Sequence, residues 1–219
     1  MSFVFGIAAP LMLHMIVTEL VAVVSGGKLD VAARTLCVSL IVLPFAVWMY
    51  QKDRAERQKI KEEDQTDGGA GSPDRRMEHV KRSVLCFLGG GILNLLWSGL
   101  LSEMKIQQHF SNTTQEALFA GGMAVQILAM GILVPVTEEL IFRGLIYRRM
   151  RKLLPYGQAV ILGALLFAVY HGNVIQMIFA FPMAVIMSVI YEKGGLFCSP
   201  VLFHMGCNLT AIVVNYLTV

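Results

Sequence analysis

The stretch Val125–Tyr147, VQILAMGILVPVTEELIFRGLIY, decides how this chain folds. A helix needs about 20 apolar residues to cross the hydrocarbon core of a bilayer, and this run is long enough. It nevertheless carries Glu138, Glu139 and Arg143 in its second half. Ionisable residues inside such spans cost roughly 2.5–3.5 kcal/mol each by insertion scales and usually mark a functional site. Glu139 and Arg143 stand four apart, on one helix face and within ion-pair reach. Glu138 points about 100° away from Glu139. A neutralising Glu139–Arg143 pair is therefore expected, with Glu138 facing a cavity. Pro135 removes one helical hydrogen bond and is expected to kink the span.

The rest of the chain reads the same way. Of 219 residues, 56% are hydrophobic and 15% charged, against about 25% charged in soluble domains. The composition predicts an all-α, polytopic transmembrane bundle. Further apolar runs at Phe3–Val24, Ala33–Tyr50, Val84–Leu101, Gln158–Gly172, Val174–Tyr191 and Leu196–Leu217 bring the expected spans to about seven. No basic residue precedes the first run, so it reads as a retained helix and not a signal peptide. Charge concentrates in Gln51–Ser83, with nine Lys/Arg against eight Asp/Glu around the turn-rich Asp67–Pro73. That divides the chain into two N-terminal spans (1–50), a charged flexible loop (51–83) and a catalytic membrane core (84–219). Fourteen Lys/Arg fall in Gln51–Ser83, Arg148–Lys152 and Lys193, and only Lys28, Arg34 and Lys105 lie on the opposite side. The positive-inside rule then places the N-terminus and the long loop in the cytoplasm. With bases and acids nearly balanced, and no aromatic residues interleaved, a nucleic-acid partner is not expected.

Two further runs carry polar groups at four-residue spacing, Phe167-x-x-x-His171 and His204-x-x-x-Asn208. At about 1.5 Å per residue from the nearest interface, Glu138 lies ~15 Å deep, His171 and Asn208 ~20 Å, and His204 ~13 Å. One acid, two imidazoles and a carboxamide are thus expected in one layer around a polar cavity near the midplane. Access is expected from the cytoplasmic side or laterally from lipid. A carboxylate shielded from bulk water can take a proton from a bound water, and donors aimed at a developing oxyanion supply the largest catalytic effect in many hydrolases. An intramembrane hydrolase is the first reading. Phe167 is expected to orient His171. His14, Glu19 and Asn94 read as packing or entrance-lining groups. Cys37, Cys86, Cys198 and Cys207 form no C-x-x-C pair and read as structural.

The Glu-Glu-x-x-x-Arg, Phe-x-x-x-His and His-x-x-x-Asn series, in this order on successive apolar runs, resembles the CPBP (Abi) family over about Val125–Leu217. That family includes the type II CAAX prenyl endopeptidases and bacterial relatives linked to peptide processing and immunity. The resemblance implies an intramembrane endopeptidase in a bacterial cell membrane, acting on a membrane-associated peptide or protein. It implies that Glu138 and His171 activate water and that His204 and Asn208 bind the oxyanion, with Glu139, Arg143 and Phe167 in support. Glutamate-dependent and metalloprotease mechanisms both stay open. Glu138, His171 and His204 make a His₂Glu set of the kind catalytic zinc uses, whereas the H-E-x-x-H helix is absent and Asn208 is a poor zinc ligand. No other cofactor is implied. Membrane lipid and a peptide or protein substrate are the implied partners, with the oligomeric state left open. Two other classes remain, a transporter or ion relay built on the midplane acid and imidazoles and a catalytically idle immunity or scaffold protein.

Overall fold

The computed structural model describes residues 3–62, 73–106, 110, 113–194 and 196–218, which form helices and no strand. They are α1 (Phe3–Ser25), α2 (Val31–Glu62), α3 (Pro73–Glu103), α4 (Thr113–Phe119), α5 (Met123–Leu153), α6 (Tyr156–Tyr170), α7 (Val174–Gly194) and α8 (Cys198–Thr218). All but α4 and α6 are long and apolar enough to cross a membrane. Their outward faces are apolar too, with Val23, Val24, Leu85, Leu96 and Trp48 exposed. Contiguous exposed apolar surface on this scale suits lipid and not water.

Two segments differ from the sequence reading. The charged stretch Gln51–Ser83 is helical at both ends, because α2 runs on to Glu62 and α3 begins at Pro73. Arg54–Glu62 consists largely of Arg, Glu, Gln and Lys, which are good helix formers, and proline suits a first helical turn. Residues 67–72 of the turn-rich segment lie outside the described residues. The second difference is α6, whose 15 residues reach roughly 22 Å, short of a full crossing. It stops where Gly172 takes a left-handed φ of 66°, a common way to end a helix. The Asn173 side chain then caps α7 by accepting from the amides of Ile175 and Gln176 at 2.9 and 3.2 Å. Irregular backbone at membrane depth is tolerated where it lines a cavity, and this turn does so.

Helix α5 changes character along its length. Ile127–Leu133 and Leu140–Tyr147 are π-helical and flank an α-helical Val134–Glu139. Pro135 sits in the first turn of that middle segment, so the widened turn before it absorbs the missing N–H. The expected kink therefore takes the form of a change of helix type, and such π turns are frequent at functional sites.

Helix α8 is held against α3 through small residues. A Cβ on Gly90 would collide with the Phe203 carbonyl, and one on Gly206 with the Phe87 carbonyl. The Cys207 thiol donates to Gly90 O at 3.3 Å. Helices in lipid gain from close backbone approach at such small-residue seams. Gly206→Val should push α8 off α3 and destabilise the protein by about 1–3 kcal/mol. The melting temperature of the detergent-solubilised variant checks this, and an unchanged value would show that the seam is slack.

One end of the bundle is closed. There Arg149 bonds Leu145 O at 2.9 Å and Asp53 at 3.2 Å, and Arg151 pairs with Glu192 at 2.8 Å. Tyr147 also donates to Glu192 at 3.0 Å. Above these ties Leu140, Ile141, Phe142, Leu145 and Ile146 form a tight buried layer. Arg148–Lys152, read as a loop cluster, continues α5 as helix, and Arg149 is buried.

Candidate active site

Glu138 and Glu139 enter from the α-helical middle of α5, and both are buried. Arg143 reaches back one turn to Glu139 Oε1 at 2.9 Å, as the four-residue spacing predicts. It also donates to Ala184 O of α7 at 3.1 Å and lies 4.6 Å from the Phe167 ring centroid. Guanidinium over an aromatic face at that distance is attractive. The sequence reading missed the third member of this group. His204 on α8 places Nδ1 3.1 Å from the same Glu139 oxygen, so Glu139 holds together two helices as well as one turn.

Glu138 faces the other way, towards a cavity of about 1190 Å³ that Glu138, Phe167, His171, His204 and Asn208 all line. Its Oε2 is buried and makes no hydrogen bond, and lies 3.9 Å from His204 Nε2. That separation is too long for a direct hydrogen bond, and a polar gap of this kind is one that water commonly bridges.

His171 is the residue at which α6 ends. Its Nδ1 lies 2.8 Å from Phe167 O. A carbonyl only accepts, so Nδ1 carries the hydrogen and, in the neutral ring, Nε2 carries the lone pair. The Phe167 ring meets His171 edge-on at 4.9 Å and His204 at 5.9 Å. Phe167 thus fixes His171 through its backbone as well as its ring. Asn208 donates from Nδ2 to Met130 O at 2.8 Å, a carbonyl within the first π-helical segment of α5. One N–H of that amide is therefore engaged in packing, and one remains.

The cavity is larger than the motifs implied. His14 of α1 and Tyr170 of α6 both line it and are joined at 2.6 Å between Nδ1 and the hydroxyl. Arg34, Thr35 and Ser39 of α2 and the buried Asn94 of α3 also line it. Its walls lie between the Glu138 layer and the α1–α2 turn, away from the closed end. None of Arg148–Lys152 lines it. Tyr170 was missed although a hydroxyl next to His171 in an apolar run was a signal. His14, Glu19 and Asn94, expected as packing or entrance-lining groups, all line it, whereas the contribution of α2 has no motif to announce it.

Zinc needs its ligands to converge at about 2 Å from one point. Among the described residues, no three His, Cys, Asp or Glu side chains are placed to do so. His204 Nδ1 is held by Glu139 and His171 Nδ1 by a carbonyl, which leaves Nε2 of each ring as the atom a ligand would meet. The Glu138, His171 and His204 set does not form a metal site in this arrangement.

Residues 120–210 match the Rce1-like family, described as type II CAAX prenyl endopeptidase Rce1-like. The match takes in all the motif residues of α5, α6 and α8 and leaves out α1–α4, covering under half of the chain. No curated protein and no solved structure matches the chain significantly. The Rce1-like region, together with helices long and apolar enough to span, identifies an integral membrane protein and supports an intramembrane CAAX-type protease in general terms.

Proposed function

We propose that the protein hydrolyses a peptide bond of a membrane-associated peptide or protein, using water activated by Glu138 and His171. The observation that carries this reading is the unpartnered Oε2 of Glu138, buried on the wall of a roomy cavity 3.9 Å from His204 Nε2. A buried carboxylate oxygen without a donor is costly, and such an expense at the centre of a cavity has a catalytic rationale. In the proposed reaction Glu138 takes a proton from the water and the water oxygen attacks the scissile carbonyl. The C–N bond then breaks and Glu138 passes the proton to the leaving amine. His171, with its Nε2 lone pair free, accepts a hydrogen bond from the same water and orients it.

His204 and the remaining N–H of Asn208 would stabilise the oxyanion. His204 already donates from Nδ1 to Glu139, so donation from Nε2 as well requires the imidazolium. Two carboxylates, one guanidinium and one imidazolium then sum to zero charge, which keeps the cluster tolerable in a membrane interior. We place the N-terminus and the 51–83 segment on the cytoplasmic face of a bacterial membrane, following the positive-inside rule.

Protein reconstituted in liposomes should cleave a prenylated peptide ending in a CAAX-type tetrapeptide, with turnover unchanged after chelator treatment. Activity lost on chelation and restored by zinc would replace this mechanism with a metal-dependent one. Proton flux with no peptide cleavage would replace the peptidase with an ion relay.

A further inference from the structure

The faces of the bundle stand at unequal heights above its closed end. A Cβ on Gly6 of α1 would collide with Arg149, which is bonded to Asp53 of α2. The Arg151 guanidinium lies 5.9 Å from the Tyr156 ring centroid and pairs with Glu192 of α7. Helices α1, α2 and α6 therefore start from one floor level. From it α1 climbs from Gly6 to Ser25, roughly 28 Å, and α2 covers roughly 33 Å between Asp53 and Val31. Both suit a hydrocarbon core of about 30 Å. Helix α6 climbs only from Tyr156 to the turn at His171, roughly 22 Å. Helix α7 leaves that same turn and reaches past Glu192 to Gly194, so its extra length lies at the floor and not at the tip. The α6–α7 turn thus sits about 6–11 Å below the α1–α2 turn.

The tip of this hairpin is polar and uncovered. Gly172 is exposed, and among the described residues a Cβ there would meet nothing within 4 Å. His171 and Asn173 beside it are half-buried. The end of a helix leaves its last carbonyls without helical partners, and such groups are costly in hydrocarbon. Below the tip, α6 turns Ile161, Leu162, Leu165 and Val169 outward. The exposed Gln158 marks the lower limit of that apolar face, so residues 159–170 give it roughly 18 Å of apolar height. A bilayer meets so short a face by thinning beside it, at a modest cost per Å of mismatch.

We propose that the α6–α7 hairpin is a lipid-interaction surface that thins the bilayer beside it by about 6–11 Å and takes phospholipids with short acyl chains as its neighbours. His171, Gly172 and Gln176 belong to the cavity wall as well. The dip therefore lowers the headgroup layer to the side of the cavity, and water has less hydrocarbon to cross on its way in. This inference concerns the lipid and not the chemistry, so it holds whether or not the protein is a peptidase.

The test reads lipid contact at single tryptophans in the full-length protein reconstituted in liposomes. Trp48 and Trp97 are first replaced by phenylalanine. Trp48 faces outward and Trp97 Nε1 makes no hydrogen bond, so neither loss should disturb the fold. Val169→Trp then reports on the hairpin face and Val24→Trp, on the exposed face of α1, serves as the control. Each is titrated in mixtures of dibromostearoyl phosphatidylcholine, which quenches tryptophan, with either dimyristoleoyl (short-chain) or dierucoyl (long-chain) phosphatidylcholine. At Val169→Trp the short-chain lipid should compete about twofold or more better than the long-chain one, with no such ratio at Val24→Trp. Leu165→Trp reports on the same face and keeps the test open should the first reporter fold poorly. Equal competition by the two lipids at the hairpin, or the same preference at both faces, overturns the proposal. A hairpin reporter that pure brominated lipid fails to quench is covered by protein, such as a second copy of the chain, and that result overturns it too.

Discussion

Replacing Glu138 with glutamine should lower kcat by about 10²–10⁴-fold, the range for losing a general base, while KM and folding change little. Glutamine keeps the volume and a carbonyl oxygen in place of Oε1 or Oε2. The substitution also removes one charge of the neutral cluster, 3.9 Å from His204 Nε2, so a small loss of stability is expected. Single-turnover cleavage in liposomes, paired with a melting curve, separates the two effects. Undiminished turnover by a folded variant would remove Glu138 from the chemistry. Glu139→Gln is the informative contrast. Glu139 is fully buried behind the cavity wall and bonded to Arg143 and His204. Its loss should therefore damage folding as much as rate.

The second large effect is expected at Arg143. Arg143→Leu leaves Glu139 buried without its counter-charge, breaks the bond to Ala184 O and exposes the Phe167 face that the guanidinium covers. Removing one partner of a buried pair costs about 3–5 kcal/mol, enough to unfold a marginally stable protein. The melting temperature in detergent should drop sharply. Coupling the change with Glu139→Met should recover much of the loss, because no bare charge is then left inside. A single variant as stable as the parent, or a double variant no better than the single, would mean that the pair does not brace α5 against α7.

What could be read from the sequence followed local periodicity. The Glu139–Arg143 pair and the outward turn of Glu138 needed only the geometry of one helix. The gathering of α5, α6 and α8 polar groups needed only depth counting. What stayed hidden depended on contacts between helices or on departures from α geometry. The His204–Glu139 bond joins residues 65 apart in sequence and has no local signature. Asn208 finds Met130 O within a π-helical stretch, and nothing in ILAMGIL announces such a turn. The early stop of α6 was legible in Gly172-Asn173, a left-handed terminator followed by a helix cap. The apolar run was bounded at Gly172, but a helix of 15 residues was counted as a full crossing. The polar extensions of α2 and α3 were missed for the converse reason, since hydropathy does not register a helix made of Arg, Glu and Lys.

The chamber ends blindly. Its floor is packed by the buried Leu140–Tyr147 layer and by the Asp53–Arg149 and Arg151–Glu192 ties. Both fragments of a cut chain must back out along the path by which the intact chain came in, or slip sideways between helices. A substrate buried by more than a short tail would have to bend double to be released. Under the proposed peptidase reading, such a shape favours cutting near a chain end over cutting the middle of a membrane-crossing chain.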